Sequence, residues 1–222
     1  MSYVYMKALE KKAEKYDKGI KILTLGRFPE IKREISDRLI HKDDMVLDVG
    51  MGTGTFAILC AKKGASVIGI DNSEKMLEVA NKKIEDEGLK QKVKTIKMPV
   101  IQLDEEFSDN SFDKVTALLA FSEFYQDEQD YCLKQIYRLL RDDGEFILVD
   151  EVKPKILWKK IVYFIIKAPL TFITYLKSQL TTKSLINIEE RLDNFNFKLI
   201  EEKYFLLDTL KLFRLKKRTS GT

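Results

Sequence analysis

Met45-Val46-Leu47-Asp48-Val49-Gly50-Met51-Gly52-Thr53-Gly54-Thr55-Phe56 is the stretch that decides the fold. It begins as a short apolar run of the kind buried in a parallel sheet, meets an acid, and then carries three glycines at alternate positions. From Thr55 to Lys63 the apolar residues Phe56, Ile58, Leu59 and Cys60 fall at helical spacing. Strand, glycine turn and helix open a βαβ unit, so the expected class is α/β. Glycines allow positive φ and close approach of a ligand to the main chain, and free N–H groups at a helix start favour a negative ligand group. A nucleotide or carboxylate-bearing cofactor is expected at this turn.

The residues around the glycines narrow that cofactor. A triphosphate loop would end in Gly-Lys-Ser/Thr, whereas Gly54 is followed by Thr55 and Phe56. A dinucleotide fingerprint would put its third glycine at position 55. Asp48 sits poorly beside a pyrophosphate but suits a ligand carrying an ammonium and a sulfonium. Charge therefore favours S-adenosylmethionine.

Asp48-x-Gly50-x-Gly52-x-Gly54 resembles motif I of the class I S-adenosylmethionine-dependent methyltransferases, and the likeness continues along the chain. Asp71 ends the next apolar run, Ser66 to Ile70, where that family has the acid that holds both ribose hydroxyls. Asn72-Ser73-Glu74-Lys75-Met76-Leu77 then opens a helix, with Ser73 as N-cap and Met76 near the adenine. Asp109 to Asp113 with Lys114 to Leu119 resembles the family's fourth strand and its lead-in, and Arg138 to Gly144 its helix-to-strand link.

The resemblance implies a Rossmann-like fold: a seven-stranded, mostly parallel sheet with an antiparallel last strand and helices on both faces. It also implies cofactor contacts from Asp48, Gly50, Met51, Gly52, Gly54, Asp71, Asn72, Met76 and Ala120. One departure follows the third strand, Val93 to Lys97. Many members have an acid there for the adenine amino group, and this chain has Met98-Pro99-Val100-Ile101. Adenine contact is then expected from apolar packing and main-chain groups of Met98, Pro99 and Val100.

With 222 residues, 45% of them hydrophobic and 33% charged, the chain fits one domain with an ample core. Cys60 and Cys132 lie on apolar helical stretches with no Cys-x-x-Cys or His cluster beside them, so buried thiols are expected rather than a disulfide or metal site. The amino terminus lacks the pattern of a secretion signal, which suggests a cytoplasmic protein. A helical cap (1–40), a cofactor-binding core (41–152), a basic apolar insertion (153–183) and a closing segment (184–222), with a helix from Leu185 to Phe195 and an antiparallel hairpin of Lys198 to Leu206 with Thr209 to Leu215, are expected within that one domain.

In the cap, Tyr3 to Lys21 has helical spacing, and Phe28-Pro29 is expected to break the chain before a second helix, Glu30 to Ile40. Lys15-Tyr16-Asp17 resembles the segment that quinone-ring methyltransferases and their relatives set over the methyl donor, which makes Tyr16 a candidate.

Catalytic candidates are fewer. His41 precedes the first strand, at the sheet end opposite the ligand edge, and reads as structural. After the fourth strand come Ala120-Phe121-Ser122-Glu123-Phe124-Tyr125, without the Asn/Asp-Pro-Pro-Tyr/Phe or Pro-Cys signatures of base-modifying methyltransferases. Glu123 is a candidate general base or cation ligand, and Ser122 a candidate for orienting substrate; a helix cap followed by a solvated carboxylate accounts for them equally well. Methyl transfer from a sulfonium needs mainly in-line positioning.

No acid occurs between Glu151 and Glu189, a span holding Lys153, Lys155, Lys159, Lys160, Lys167, Lys177 and Lys183 among aromatic and aliphatic residues. Lys167 and Pro169 cut the apolar run short of a bilayer-spanning helix. A substrate lid, a protein-docking face and a peripheral membrane contact all remain compatible with it. A net charge of +4 is too mild to indicate nucleic acid.

A narrower resemblance is to the corrinoid protein-associated methyltransferases. It rests on Met1 to Glu10, Tyr16 to Ile20, Leu23 to Arg27, Phe121-Ser122-Glu123, Asp150 to Pro154 and Thr174-Tyr175-Leu176. The expected activity is methyl transfer to a small or apolar acceptor, linked through that resemblance to a corrinoid or its protein. A membrane-surface quinone or lipid methyltransferase and a non-catalytic, cofactor-binding partner of a corrinoid protein are the alternatives.

Overall fold

A computed structural model describes residues 13–154, 156, 158, 165 and 184–218. Most of the basic apolar insertion and the first 12 residues lie outside the described residues, and so do the lid, docking and membrane expectations attached to that insertion.

The strands are β1 (Met45–Val49), β2 (Ser66–Asp71), β3 (Val93–Lys97), β4 (Phe112–Leu118), β5 (Leu140–Glu151), β6 (Phe197–Phe205) and β7 (Leu210–Lys217). They form one seven-stranded sheet in the order β3-β2-β1-β4-β5-β7-β6. The first five strands pair in parallel, and β7 runs antiparallel between β5 and β6. This is the Rossmann-like methyltransferase topology, reversed strand included. The strand order changes direction at β1, where β2 lies on one side and β4 on the other, and that switch point opens a crevice for ligand.

The helices are α1 (Tyr16–Leu23), α2 (Arg27–Leu39), α3 (Thr55–Lys62), α4 (Glu74–Asp86), α5 (Leu103–Glu106), α6 (Gln126–Leu139) and α7 (Ile188–Asn194). Alternation along the strands sends Val46, Ile147 and Leu212 to one face, where Ile31, Phe56 and Leu77 of α2, α3 and α4 meet them. Leu47, Leu148 and Phe213 go to the other face and pack with Leu133 of α6 and Ile188 of α7. Both faces are covered, which is why the central strands read as continuous apolar runs.

Three local expectations change. Pro29 does not break the chain: it lies in the first turn of α2, where its missing N–H has no helical partner to lose. The break falls earlier, at Leu25 and Gly26, whose φ values are 50° and 78°. Strand β5 begins at Leu140, inside the expected helix-to-strand link Arg138 to Gly144, because Leu140 pairs with Phe112 before an irregularity in the ladder. The closing helix spans Ile188–Asn194, shorter than the expected Leu185 to Phe195, after Asn187 at a φ of 49°.

Candidate active site

The glycine turn leaves β1 at the carboxyl edge of the sheet. Gly50 and Met51 both donate their N–H groups to the Ile70 carbonyl, at 2.9 and 3.0 Å, tying the turn to the end of β2. Gly50, Gly52 and Gly54 all have positive φ. At Gly50 the space requirement is as strict as the torsion, since a Cβ there would lie 2.5 Å from the Cβ of Ala120.

Asp71, the last residue of β2, fixes the other wall. Its Oδ2 accepts the Gly52 N–H and its Oδ1 the Ser73 N–H, both at 2.8 Å. A carboxylate has about four lone-pair sites. Such a group on a cleft wall is a two-pronged acceptor, the kind of partner that the two vicinal hydroxyls of a ribose require.

Between these walls lies a cleft of about 310 Å³. Gly50, Gly52, Asp71, Asn72, Met76, Met98, Pro99, Val100 and Ala120 line it, as do Tyr16 of α1 and Glu123. The missing acid after β3 is replaced by the apolar wall of Met98, Pro99 and Val100. Its charged members among the described residues are Asp71, Glu123 and Glu128, a set suited to a cationic ligand.

Four sequence candidates do not line this cleft. Asp48 is buried behind the turn, taking the Thr116 hydroxyl on Oδ1 at 2.7 Å while Oδ2 has no hydrogen-bond partner among the described residues. Burial, with a contribution from the Asp71 charge, pushes its carboxyl up to about 6 against the opposing pull of Thr116 and Lys32. Its side chain belongs to the support beneath the site. Met51 turns back into the sheet, so close to Gly69 that a Cβ there would collide with its sulfur. Gly54 packs against Ala80 of α4. Ser122 is turned toward Asp150 of β5, whose Oδ2 accepts its N–H at 2.9 Å, so its role is to hold its own loop.

That loop, Phe121–Glu123, forms a single 3-10 turn that is held from beneath. Phe121 is fully buried against Phe146 and Phe124, with ring centroids 5.9 and 5.7 Å away. Gln129 of α6 donates to the Phe121 and Phe124 carbonyls at 2.9 and 3.1 Å, and Arg191 of α7 donates to Gln129 at 2.6 Å. Asp150 is itself wholly buried, and burial raises its carboxyl to about 6. Glu123 and Phe124 are thereby aimed at the cleft.

Sequence reading missed Glu128 and Leu119 as lining residues. Glu128 lies one helical turn into α6 and accepts the Tyr125 N–H at 2.7 Å, an N-terminal capping contact. Its signal was an acid three residues into a helix beside the ligand edge. Leu119 follows β4 directly with a φ of 61°, a strained torsion for a non-glycine residue that nothing in its identity announces.

Comparison with known proteins adds to this geometry. A family profile described as "Methyltransferase domain" matches residues 46–144. The chain is similar to a demethylmenaquinone methyltransferase of Symbiobacterium thermophilum, 30% identical over 197 residues, covering 85% of this chain and 77% of that one. A demethylmenaquinone methyltransferase of Lactobacillus johnsonii is 31% identical over 146 residues, and the match spans 58% of its length.

A crystallised protein of Methanococcus maripaludis, described as a putative S-adenosylmethionine-dependent methyltransferase, superposes with a TM-score of 0.66 at 20% identity. It covers 96% of this chain and 94% of its own. The cyclase SpnF superposes at 0.68 with 16% identity, covering 85% of this chain and 80% of its own. At such identities the structural likeness speaks to fold alone.

Proposed function

The chain belongs to the class I S-adenosylmethionine-dependent methyltransferases, and from that premise we propose that it methylates an apolar, quinone-type aromatic ring in its reduced, hydroxylated form. The carrying observation is the composition of one cleft. Its donor end has the glycine turn and Asp71, while Leu118, Leu119, Phe124 and Tyr125 line it beside the carboxylates of Glu123 and Glu128. The quinone methyltransferases among the relatives support the acceptor class. The relatives described above give the corrinoid link no support.

The residues fit the donor. Asp71 sets a carboxylate, the kind of acceptor that ribose hydroxyls require, beside the glycine turn, and the Gly50–Ala120 contact leaves the main chain bare where a side chain would stand. Met76, Met98 and Val100 offer apolar walls to a flat base. S-adenosylmethionine supplies a methyl group already activated on a sulfonium. The chain must therefore orient the ring for in-line attack, exclude water, and take up the proton of a ring hydroxyl as the ring carbon attacks and the S–CH3 bond breaks; the methylated carbon then loses its own proton, the hydroxyl is restored, and one proton is released per methyl transferred. Phe124 and Tyr125 serve the first two tasks, and Glu123 or Glu128 the third.

Incubation with S-adenosylmethionine and a short-chain demethylated naphthohydroquinone under reducing conditions tests this. Methylated ring and S-adenosylhomocysteine should accumulate in equal amounts, and Asp71→Ala should weaken donor binding by roughly 100-fold through loss of charged hydrogen bonds. Turnover of a corrinoid protein with no turnover of any quinone would overturn the proposal, as would donor binding without transfer.

We also propose a peripheral membrane contact, since such a ring resides in lipid. Ile156, Trp158 and Ile165 are exposed within the stretch rich in lysine, and among the described residues no helix is long and apolar enough to cross a bilayer.

A further inference from the structure

The segment Tyr16-Asp17 supplies the cleft with Tyr16, yet the structure also gives the neighbouring Asp17 a set of partners. Its carboxylate accepts the Thr53 hydroxyl at 2.9 Å and the Thr55 hydroxyl at 3.2 Å, and it pairs with the Lys83 ammonium. Lys83 in turn donates to the Thr53 carbonyl and the Thr55 hydroxyl, each at 3.2 Å. One residue of α1 is thus joined to the glycine turn, to the first residue of α3 and to α4. Thr53 is buried, and the side chains of Asp17 and Lys83 are 41% and 32% exposed. Lys83 and Lys32 together with Thr53 hold the Asp17 carboxyl below the usual carboxylate range against the effect of burial.

No other described polar contact on α1 reaches the glycine turn, and the helix is followed by a sharp turn. Thr24 closes α1 by donating to Ile20, and the next two residues, Leu25 and Gly26, have left-handed torsions before α2 begins. We propose that Asp17 is a positioning residue: through Lys83, Thr53 and Thr55 it clamps α1 onto the glycine turn, so that Tyr16 closes the donor end of the cleft. The inference rests on the donor site described above. The threonines at alternate positions of Gly52-Thr53-Gly54-Thr55 then have a task besides spacing the glycines: they are the clamp's fixed half. Asp17 acts on the donor only through α1 and the turn. Removing its charge also leaves the Lys83 ammonium uncompensated beside the turn that receives a cationic donor.

The test uses the full chain, with S-adenosylhomocysteine as ligand and trypsin as reporter, because Lys18 and Lys21 are exposed on α1. In Asp17→Asn, S-adenosylhomocysteine should dissociate about tenfold faster and cleavage within α1 should accelerate in proportion, with the thermal midpoint of the remaining core unchanged. Lys83→Met breaks the same pair from the other side and should give the same pattern, and it serves if Asp17→Asn does not fold. The double variant should be no worse than the more affected single one, since both act in one unit. S-adenosylmethionine should lose more affinity than S-adenosylhomocysteine in Asp17→Asn, and Lys83→Met should reverse that bias, which a purely structural loss would not do. Wild-type dissociation and cleavage rates in both single variants would overturn the clamp, and so would additive losses in the double. Failure of the wild-type protein to bind S-adenosylhomocysteine would instead overturn the donor site, while the cleavage rates without ligand would still decide whether Asp17 holds α1.

Discussion

Asp48 shows how one residue can satisfy a motif and serve it indirectly. Its place before the glycines was legible in the sequence, but its burial behind the turn depends on α2, Thr116 and Lys32, which come from distant parts of the chain. Its folded-state value of about 6 lies above the 3.8 of the open chain. Between those values the native state holds a proton that the unfolded state has released, so this contribution to stability is present at low pH and is lost as pH rises through about 4 to 6. Asp48→Asn removes that dependence. Urea unfolding should find the apo variant equal to wild type near pH 4 and more stable by about 1–3 kcal/mol at pH 8, with donor binding weakened. Asp17 and Glu145, held low by their cationic partners, act with the opposite sign in both proteins and cancel from the difference. At Glu128 the expected separation is between cap and chemistry. Glu128→Gln keeps an acceptor for the Tyr125 N–H, so melting should change by less than about 0.5 kcal/mol, whereas turnover should fall at least tenfold if this carboxylate takes the proton.

At the scale of elements, the agreement between sequence and structure has a physical pattern. Strand β1 begins and ends as its apolar run does, because a strand buried on both faces can contain few polar residues. Where pairing rather than composition sets the boundary, as at Leu140, the sequence is silent. The glycine turn joins both kinds of information. Gly50→Ala must bear a left-handed torsion and a collision with Ala120, whereas Gly52→Ala bears only the torsion, with nothing within 4 Å of its added Cβ. Melting of the apo proteins should therefore show a loss of about 1 kcal/mol for Gly52→Ala and at least twice that for Gly50→Ala. Equal losses would show that Ala120 moves aside and that β4 is less rigid than its buried ladder implies.

For the whole molecule, the ligand edge joins residues from five separate stretches of chain, 16, 49–52, 70–76, 98–100 and 118–128, and one sheet holds most of them. The proposed membrane contact belongs to this scale, since a lipid surface is met by many side chains at once, the exposed Ile156, Trp158 and Ile165 among them. Cosedimentation with vesicles containing anionic lipid should be strong at low salt and fall sharply by about 0.5 M salt, where screening is short-ranged. Replacing Trp158 with Ala should weaken it further. Binding that ignores both salt and lipid charge would remove the electrostatic part of the proposal.

The sequence by itself determined the class of sheet, the glycine turn and the acid that ends β2, because each depends on residues close together in the chain. Only the tertiary structure decided which polar side chains face the cleft. It turned Asp48 and Ser122 away, brought in Glu128, and gave Asp17 its partners on α3 and α4. Those outcomes follow from helix packing on the sheet, where the direction of a side chain is fixed by contacts between segments that the sequence holds far apart.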